Sequence, residues 1–295
     1  MVLCACIDIG SNTTRVLVAE VQGGRLTEVL QRRAFTRIGK GLKPGGEIAE
    51  AKLTEVAAVV AEQAALAARV GAPPARVVAT AAIRGAANRD AFCARVSEAA
   101  GVPVEILAPV EEARLAFLGA TRTLARPLDG VVGVVDVGGG SSEIAVGTVA
   151  GGASWSASFR IGSSSLTDAY LRSDPPAAAE LEAISLHADG VFEGLAAPAC
   201  GCAVAVGGSA TSLRRLVGTV LEPETLQRAI RVLSSEPCVD VARRFDLDPQ
   251  RVRLLPAGIL ILDAASRCLG RPLQIGRGGL REGICLELAA GGYDL

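Results

Sequence analysis

Apolar residues along this chain fall into short runs that suit strands and longer runs spaced for helices, and the order of these runs repeats. Residues 2–9 are almost wholly apolar and read as a strand. Residues 15–21 read as a second strand, and residues 25–33, after Gly23-Gly24, as a third, so the chain opens with a meander. A polar, glycine-rich loop follows at 37–46. Helical spacing then holds from 49 to 70 and stops at Gly71, with Pro73-Pro74 beyond. Residues 77–81 predict a buried strand, 88–100 a helix ended by Gly101, 104–107 a short strand and 110–124 a helix. The second half begins again with strands at 131–137 and 142–149, a Gly151-Gly152 turn and a third strand at 153–161. Helices are expected at 165–171 and 176–195, a buried strand at 202–206 and a helix from Ser209. Helices at 225–234 and 256–269, a short strand at 273–275 and a helix at 280–290 close the pattern. Each half therefore reads as three meandering strands followed by alternating helices and strands, an α/β layered fold used twice. The segment Arg126-Pro127-Leu128-Asp129-Gly130 is the expected hinge, which sets domains at 1–125 and 126–295.

The two meanders share more than their hydropathy. The first contains Asp8-Ile9-Gly10-Ser11-Asn12-Thr13-Thr14-Arg15, the second Asp136-Val137-Gly138-Gly139-Gly140-Ser141-Ser142-Glu143, in the same register. Each has a carboxylate at the end of an apolar strand and then a turn of small residues. A charge in that position is costly unless it is paired or holds a cation. Successive backbone N–H groups of such a turn form an anion-binding nest. Glu143 opens the returning strand and is expected beside Asp136, and two carboxylates together suit Mg²⁺. A third glycine turn, Gly207-Gly208-Ser209, links a buried strand to a helix N-terminus, which is either a plain connection or an anion site.

Size and composition then narrow the classes. The 295 residues suit two domains, and with 50% apolar residues burial is not limiting. Aromatics make up only 3%, which argues against base-stacking nucleic-acid binding, and a net charge of −1 argues against a chain coated for DNA or acidic membranes. The basic residues are nearly all Arg, a few of which are expected to grip phosphate through the guanidinium fork. The apolar start lacks the features of a signal peptide and no run reaches membrane-spanning length, so a cytoplasmic protein is expected. The eight cysteines contain no C-x-x-C pair, and His187 is the single histidine, so buried thiols are expected rather than a zinc site, and no Ser-His-Asp set is available.

Three further segments carry charge where chemistry is possible. Glu111 and Glu112 fall in the first turn of a predicted helix, where acids suit the helix dipole. One of them is alternatively a general base, and the sequence does not decide between these readings. Arg84, just past a buried strand, is a surface charge or a phosphate ligand. The loop holding Arg37, Lys40 and Lys43 is a solvated loop or a flap for a polyanion.

Taken together, residues 8–15, 80–88, 111–115, 136–143 and 278–283 resemble the exopolyphosphatase/guanosine pentaphosphate phosphohydrolase (Ppx/GppA) family, within the actin, heat-shock ATPase and sugar-kinase superfamily. The resemblance implies two ribonuclease-H-like (actin-like ATPase) domains with a cleft between them, and a phosphohydrolase dependent on Mg²⁺, with Mn²⁺ as an alternative. It implies Glu112 as catalytic base and Asp136 and Glu143 as metal-binding acids, with Asp8 as a further acid for metal. It implies phosphate contacts from Gly10, Ser11, Asn12, Thr13, Arg84, Gly138, Gly139, Gly140, Ser141, Gly207, Gly208 and Ser209. The substrate it implies is inorganic polyphosphate, short chains especially, cleaved at its end. Guanosine pentaphosphate hydrolysis, an ATP-dependent kinase and a non-catalytic polyphosphate or alarmone binder are the alternatives. No nucleic acid or membrane partner is expected, and relatives imply a homodimer. The chain departs from the family pattern at Ala108-Pro109, where relatives carry Ser-Gly, and in the basic character of Lys40 and Lys43. It matches the catalytic core of longer relatives and not their C-terminal helical domains.

Overall fold

The computed structural model describes residues 1–124 and 128–291. The first strand shows how the sequence pattern becomes a layer. In β1 (Val2–Ile9) the side chains alternate, so that Ala5, Ile7 and Ile9 join one apolar cluster while Cys4 and Cys6 join another. Burial on both faces is why the run reads as continuously apolar. β2 (Thr14–Gln22) and β3 (Arg25–Ala34) complete an antiparallel meander. α1 (Glu50–Arg69), β4 (Arg76–Ala79), α2 (Ala81–Arg84), α3 (Arg89–Ala100), β5 (Val104–Ile106) and α4 (Pro109–Arg122) follow. β4 runs parallel to β1 and β5 parallel to β4, giving a five-stranded sheet of order β3-β2-β1-β4-β5.

The second half repeats this plan. β6 (Val131–Val137), β7 (Ser142–Thr148) and β8 (Gly152–Phe159) form its meander. α5 (Ser163–Tyr170), α6 (Ala178–Phe192), β9 (Cys202–Val206), α7 (Gly207–Val217) and β10 (Val220–Leu221) come next. α8 (Pro223–Ser235), α9 (Cys238–Phe245), α10 (Pro249–Val252), α11 (Leu255–Leu269), β11 (Leu273–Ile275) and α12 (Leu280–Gly291) complete the chain's elements. The second sheet has the order β10-β11-β9-β6-β7-β8, with β9 parallel to β6 and β11 parallel to β9. Leaving β10 aside, it is the first sheet again. The repeat extends to its irregularities: a register shift falls at Val18/Ala19 in one meander and at the matching Val146/Gly147 in the other. This is the expected fold class, two ribonuclease-H-like α/β layers.

The chain divides into two compact units, Met1–Thr123 with the segment from Gly278 onward, and Leu124–Arg277. A cut near residue 125 that assigns everything later to a second domain misplaces α12. That helix packs in the first unit because Leu280, Ile284, Cys285 and Leu286 enter the cluster of Cys4, Cys6, Leu17 and Leu115. Of the expected hinge, Arg126 and Pro127 lie outside the described residues. All eight cysteines are free thiols, and Cys4, Cys6, Cys200 and Cys285 are buried. Cys200 immediately precedes β9, which begins at Cys202. Among the described residues no helix is long and apolar enough to cross a membrane.

α12 and α4 approach backbone to backbone. A methyl group at Gly119 would overlap the Gly279 carbonyl, and one at Gly283 would overlap the Leu115 carbonyl. Ion pairs bind the same helices from outside the apolar contact. Arg114 grips both oxygens of Glu111, at 2.6 and 2.8 Å, and also reaches Glu287 of α12. Glu287 in turn pairs with Arg76 of β4 at 2.8 Å, and Arg76 pairs with Glu105 of β5 at 2.9 Å. Hydrogen bonds from Arg114 hold the Glu111 carboxyl below its usual value of 4.5.

Two predictions follow from this packing. Gly283→Ala forces the helices apart and destabilises the protein by about 1–3 kcal/mol, read as a lower urea midpoint. Because the folded-state pKa of Glu111 is depressed, its contribution is complete above the unfolded value of 4.5 and is lost as pH falls through the lower folded value. Glu111→Gln therefore lowers stability at pH 7 by at most about 1 kcal/mol, and its urea midpoint converges with that of the wild type once Glu111 is protonated in both states.

Candidate functional site

In the first unit the candidate residues gather at the carboxyl ends of the parallel strands β1, β4 and β5, where open α/β sheets bind ligands. Asp8 lies opposite Arg15 in the β1–β2 ladder and beside Val78 of β4. The turn after it is closed by one bond, Gly10 N to Thr13 O at 3.0 Å. Its carbonyls are taken from behind. The Arg37 amide donates to Asn12 O at 2.9 Å and the Gly39 amide to Ser11 O at 2.8 Å. The basic loop is thereby pinned to the turn, with Arg37 held in the left-handed region at φ 48°. The amides of Ser11 and Asn12 donate to none of the described residues.

Asp8 Oδ1 is shut off from solvent and meets no donor among the described residues. Burial pushes its pKa up, while Arg281 and then Arg15 pull it back. Glu282 of the same terminal segment caps α12 by accepting from the Gly279 amide at 2.8 Å.

The two glutamates at the start of α4 separate clearly. The helix begins at Pro109, an N-terminal proline after an extended Ala108 whose carbonyl accepts from the Glu111 and Glu112 amides at 3.0 and 2.9 Å. Ala108-Pro109 thus starts the helix without a side-chain cap. Glu111 is consumed by Arg114. Glu112 is 7% exposed, and its Oε2 accepts from Arg84 Nη1 at 3.0 Å. The same Nη1 donates to Leu107 O at 2.6 Å. Arg84 and Glu112, two separate expectations from sequence, are one contact.

The second unit repeats the turn with a different charge pattern. Gly138 N donates to Ser141 O at 3.0 Å, the counterpart of the Gly10–Thr13 bond. Asp136 is paired in the ladder with Glu143, where the first unit has Asp8 with Arg15. Directly opposed residues project to the same face. Glu143 is buried and its Oε1 accepts from the Ser158 hydroxyl at 2.8 Å. The carbonyls of this turn are again bonded from behind, here by the start of α5: Ser163 N to Gly138 O and Ser164 N to Gly139 O, both at 2.9 Å. Gly162 has to be glycine, because a Cβ would overlap Gly139 and Gly140. The amides of Gly139 and Gly140 donate to none of the described residues.

The third glycine turn joins this group. β9 runs beside β6, so that Val206 lies next to Asp136 and α7 begins at Gly207. Gly207 has φ +87°, and a Cβ there would meet Asp136 Oδ1. Ser209 is buried in the first turn of α7, with its hydroxyl against Gly258. The buried guanidinium of Arg251 rests on Gly208, which leaves no room for a Cβ. Sequence reading missed Arg251, Ser158, Ser163 and Ser164. The small polar run Gly162-Ser163-Ser164-Ser165 ahead of a helix was a legible signal for the last two. Arg251 and Ser158 arrive through long-range packing and give no local signal.

The donor set around Asp136 and Glu143 suits a hard cation, which takes oxygen ligands and retains water and phosphate oxygens. Among the described residues no three His, Cys, Asp or Glu side chains cluster.

Comparison with known proteins identifies the family. The sequence pattern of the Ppx/GppA phosphatase family matches residues 17–290. Exopolyphosphatase 1 of Mycobacterium leprae is 28% identical over 299 residues, covering 95% of this chain and 88% of that protein. Exopolyphosphatase 2 of Mycobacterium tuberculosis is 36% identical over 186 residues, 60% of this chain and 57% of that protein. The crystal structure of the Aquifex aeolicus member of the Ppx/GppA family superimposes with a TM-score of 0.82 at 27% identity, covering 100% of this chain and 99% of that one. With its twin turns, its paired strand-end acids and a family pattern running nearly its whole length, the chain belongs to the Ppx/GppA phosphatase family.

Proposed function

We propose that the chain is an exopolyphosphatase, releasing orthophosphate from the end of inorganic polyphosphate, with short chains preferred. The observation that carries this reading is the repeated turn. In both copies the carbonyls are bonded from behind, and the amides of Ser11, Asn12, Gly139 and Gly140 are left to an anion. A ligand gripped through backbone amides is recognised by its phosphate oxygens alone, which suits a polymer with no other feature.

Water attacks the terminal phosphorus, the bond to the bridging oxygen breaks, and the shortened chain leaves with that oxygen. Glu112 accepts the proton of the attacking water. Its carboxylate is screened from solvent and held by Arg84, apart from the Glu111–Arg114 pairing. Asp136 and Glu143 would hold the divalent cation, Mg²⁺ or Mn²⁺, with the Ser158 hydroxyl orienting Glu143 for it. When bound, the cation supplies positive charge against the phosphate oxygens. The same role for Asp8 draws on its shielded Oδ1, in competition with Arg281 and Arg15. Gly10, Thr13, Gly138 and Ser141 close the turns, and Gly207, Gly208 and Ser209 begin α7, so all serve the phosphate by shaping backbone. Arg251, resting on Gly208, joins them as a phosphate-side cation.

The test offers purified protein polyphosphates of graded length and guanosine pentaphosphate side by side, with orthophosphate measured for each. Faster release from short polyphosphate is expected, and release from guanosine pentaphosphate alone refutes the substrate assignment. Glu112→Gln is expected to lower kcat by about 10²–10⁴-fold with polyphosphate binding intact. Asp136→Asn and Glu143→Gln are expected to raise the Mg²⁺ concentration needed for half-maximal rate, measured by metal titration at saturating substrate.

A further inference from the structure

The basic loop between β3 and α1 carries an inference that rests on the reading of the chain as a polyphosphatase. Residues 37–46 are an ordered platform rather than a slack connection. Successive tight turns run through them, closed by Lys40 N to Arg37 O at 3.1 Å, Leu42 N to Gly39 O at 3.2 Å and Gly46 N to Lys43 O at 2.9 Å. Gly41 and Gly45 supply the left-handed positions, at φ 72° and 71°. Ile38 and Ile48 are buried in the apolar cluster of the first unit, and Leu42 packs against it. The loop is also tied at both ends. Its start is held on the Gly10–Thr13 turn through Ser11 O and Asn12 O. Its far end is held by Gly45 N to Gly85 O at 3.2 Å and Ala87 N to Gly46 O at 2.9 Å. Beyond it, the Asn88 side-chain amide both accepts from and donates to the Ile48 backbone, each at 2.9 Å.

The charges on this platform are unmatched. Lys40 and Lys43 are exposed and Arg37 is half-buried, and none of them meets a carboxylate among the described residues. Glu47, the nearest acid in sequence, pairs with none of them. The neighbouring helices differ, since Lys52 pairs with Glu55 at 2.5 Å and Arg95 with Glu50 at 2.8 Å. Like charges held together without a counter-ion raise the local potential and favour a polyanion. The turn to which the loop is tied lacks an acceptor as well. Asn12 Nδ2 is shut off from solvent and meets no acceptor among the described residues, beside the open amides of Ser11 and Asn12. A buried donor in that state is costly until an acceptor arrives.

We propose that the loop 37–46 is a second anion subsite, continuous with the Ser11-Asn12 turn. The turn and the Asn12 side chain take the end of a polyphosphate, and Arg37, Lys40 and Lys43 take the units that follow. A few phosphoryl units fill these cations, so binding strengthens with chain length and then levels off. A solvated connection would not need pinning at both ends with its charges left unmatched.

The experiment compares the wild type with Lys40→Gln/Lys43→Gln and with Arg228→Gln/Arg231→Gln, with urea midpoints to verify folding. The second pair removes the same charge from α8 of the second unit, where both arginines are exposed and meet no carboxylate among the described residues. Orthophosphate release is measured on tripolyphosphate and on a medium-chain polyphosphate. Binding of the medium chain is measured by calorimetric titration of the same variants in the Glu112→Gln background. The loop variant is expected to raise KM for the medium chain about tenfold with kcat retained, and KM for tripolyphosphate by less than about threefold. Added KCl is expected to raise the medium-chain KM less steeply in the loop variant than in the wild type, because fewer contacts are left to screen. The α8 variant is expected to match the wild type. The inference is overturned if the loop variant leaves the medium-chain KM unchanged, if it raises both KM values equally, or if the α8 variant does the same. An inactive wild type that binds the medium chain through the loop lysines removes the enzymatic reading and keeps the subsite. An active wild type indifferent to those lysines removes the subsite alone.

Discussion

A carboxylate at the end of a strand, facing its ladder partner across a turn closed by a single amide–carbonyl bond, is the constraint on which both units are built. It occurs at Asp8 with Gly10–Thr13 and at Asp136 with Gly138–Ser141. The closing bond leaves the turn only small residues. The neighbouring segments then bond two of its carbonyls, those of Ser11 and Asn12 by the basic loop in one unit and those of Gly138 and Gly139 by α5 in the other. With those acceptors occupied and amide donors left over, the turn favours an anion. What differs between the copies is the residue across the ladder. Arg15 compensates Asp8, whereas Glu143 doubles the charge at Asp136. The duplicated scaffold thus carries two different charge patterns, an acid opposite an arginine in one copy and an acid opposite an acid in the other.

A second dependence concerns α4. Glu112 is only as well placed as the helix that bears it, and α4 is anchored on α12 by close glycine contacts as well as by the apolar cluster around Leu115. Close backbone approach leaves few alternative depths of packing, so the first turn of α4 is fixed in height above β5. The network of Arg114, Glu287 and Arg76 fixes its rotation. Glu111 and Glu112, adjacent in sequence, are thereby directed to different partners.

Much of this was legible in the amino-acid order. Strands β1, β9 and β11 fall where their apolar runs predict, and the twin turns are visible because acid, glycine and returning strand recur in register. Elements below a few residues were missed, α2, α10 and β10, because two to four positions hold no period. α9 was missed although Cys238, Val241, Ala242 and Phe245 have helical spacing. The site was legible as a set of residues but not as a set of pairs. Which arginine reaches Glu111 and which reaches Glu112 is set by tertiary packing, and no local pattern records it. Sequence order also misled at the end of the chain, since α12 follows the second unit but completes the core of the first.

That placement has a consequence for biosynthesis. The segment Leu124–Arg277 is continuous and is fully translated before α12 emerges from the ribosome. The first unit, although begun earliest, has the β1 face that bears Cys4 and Cys6 covered only in part, by Leu107 and Leu115, until α12 arrives. The first unit therefore reaches its full core only after the whole of the second unit has been synthesised.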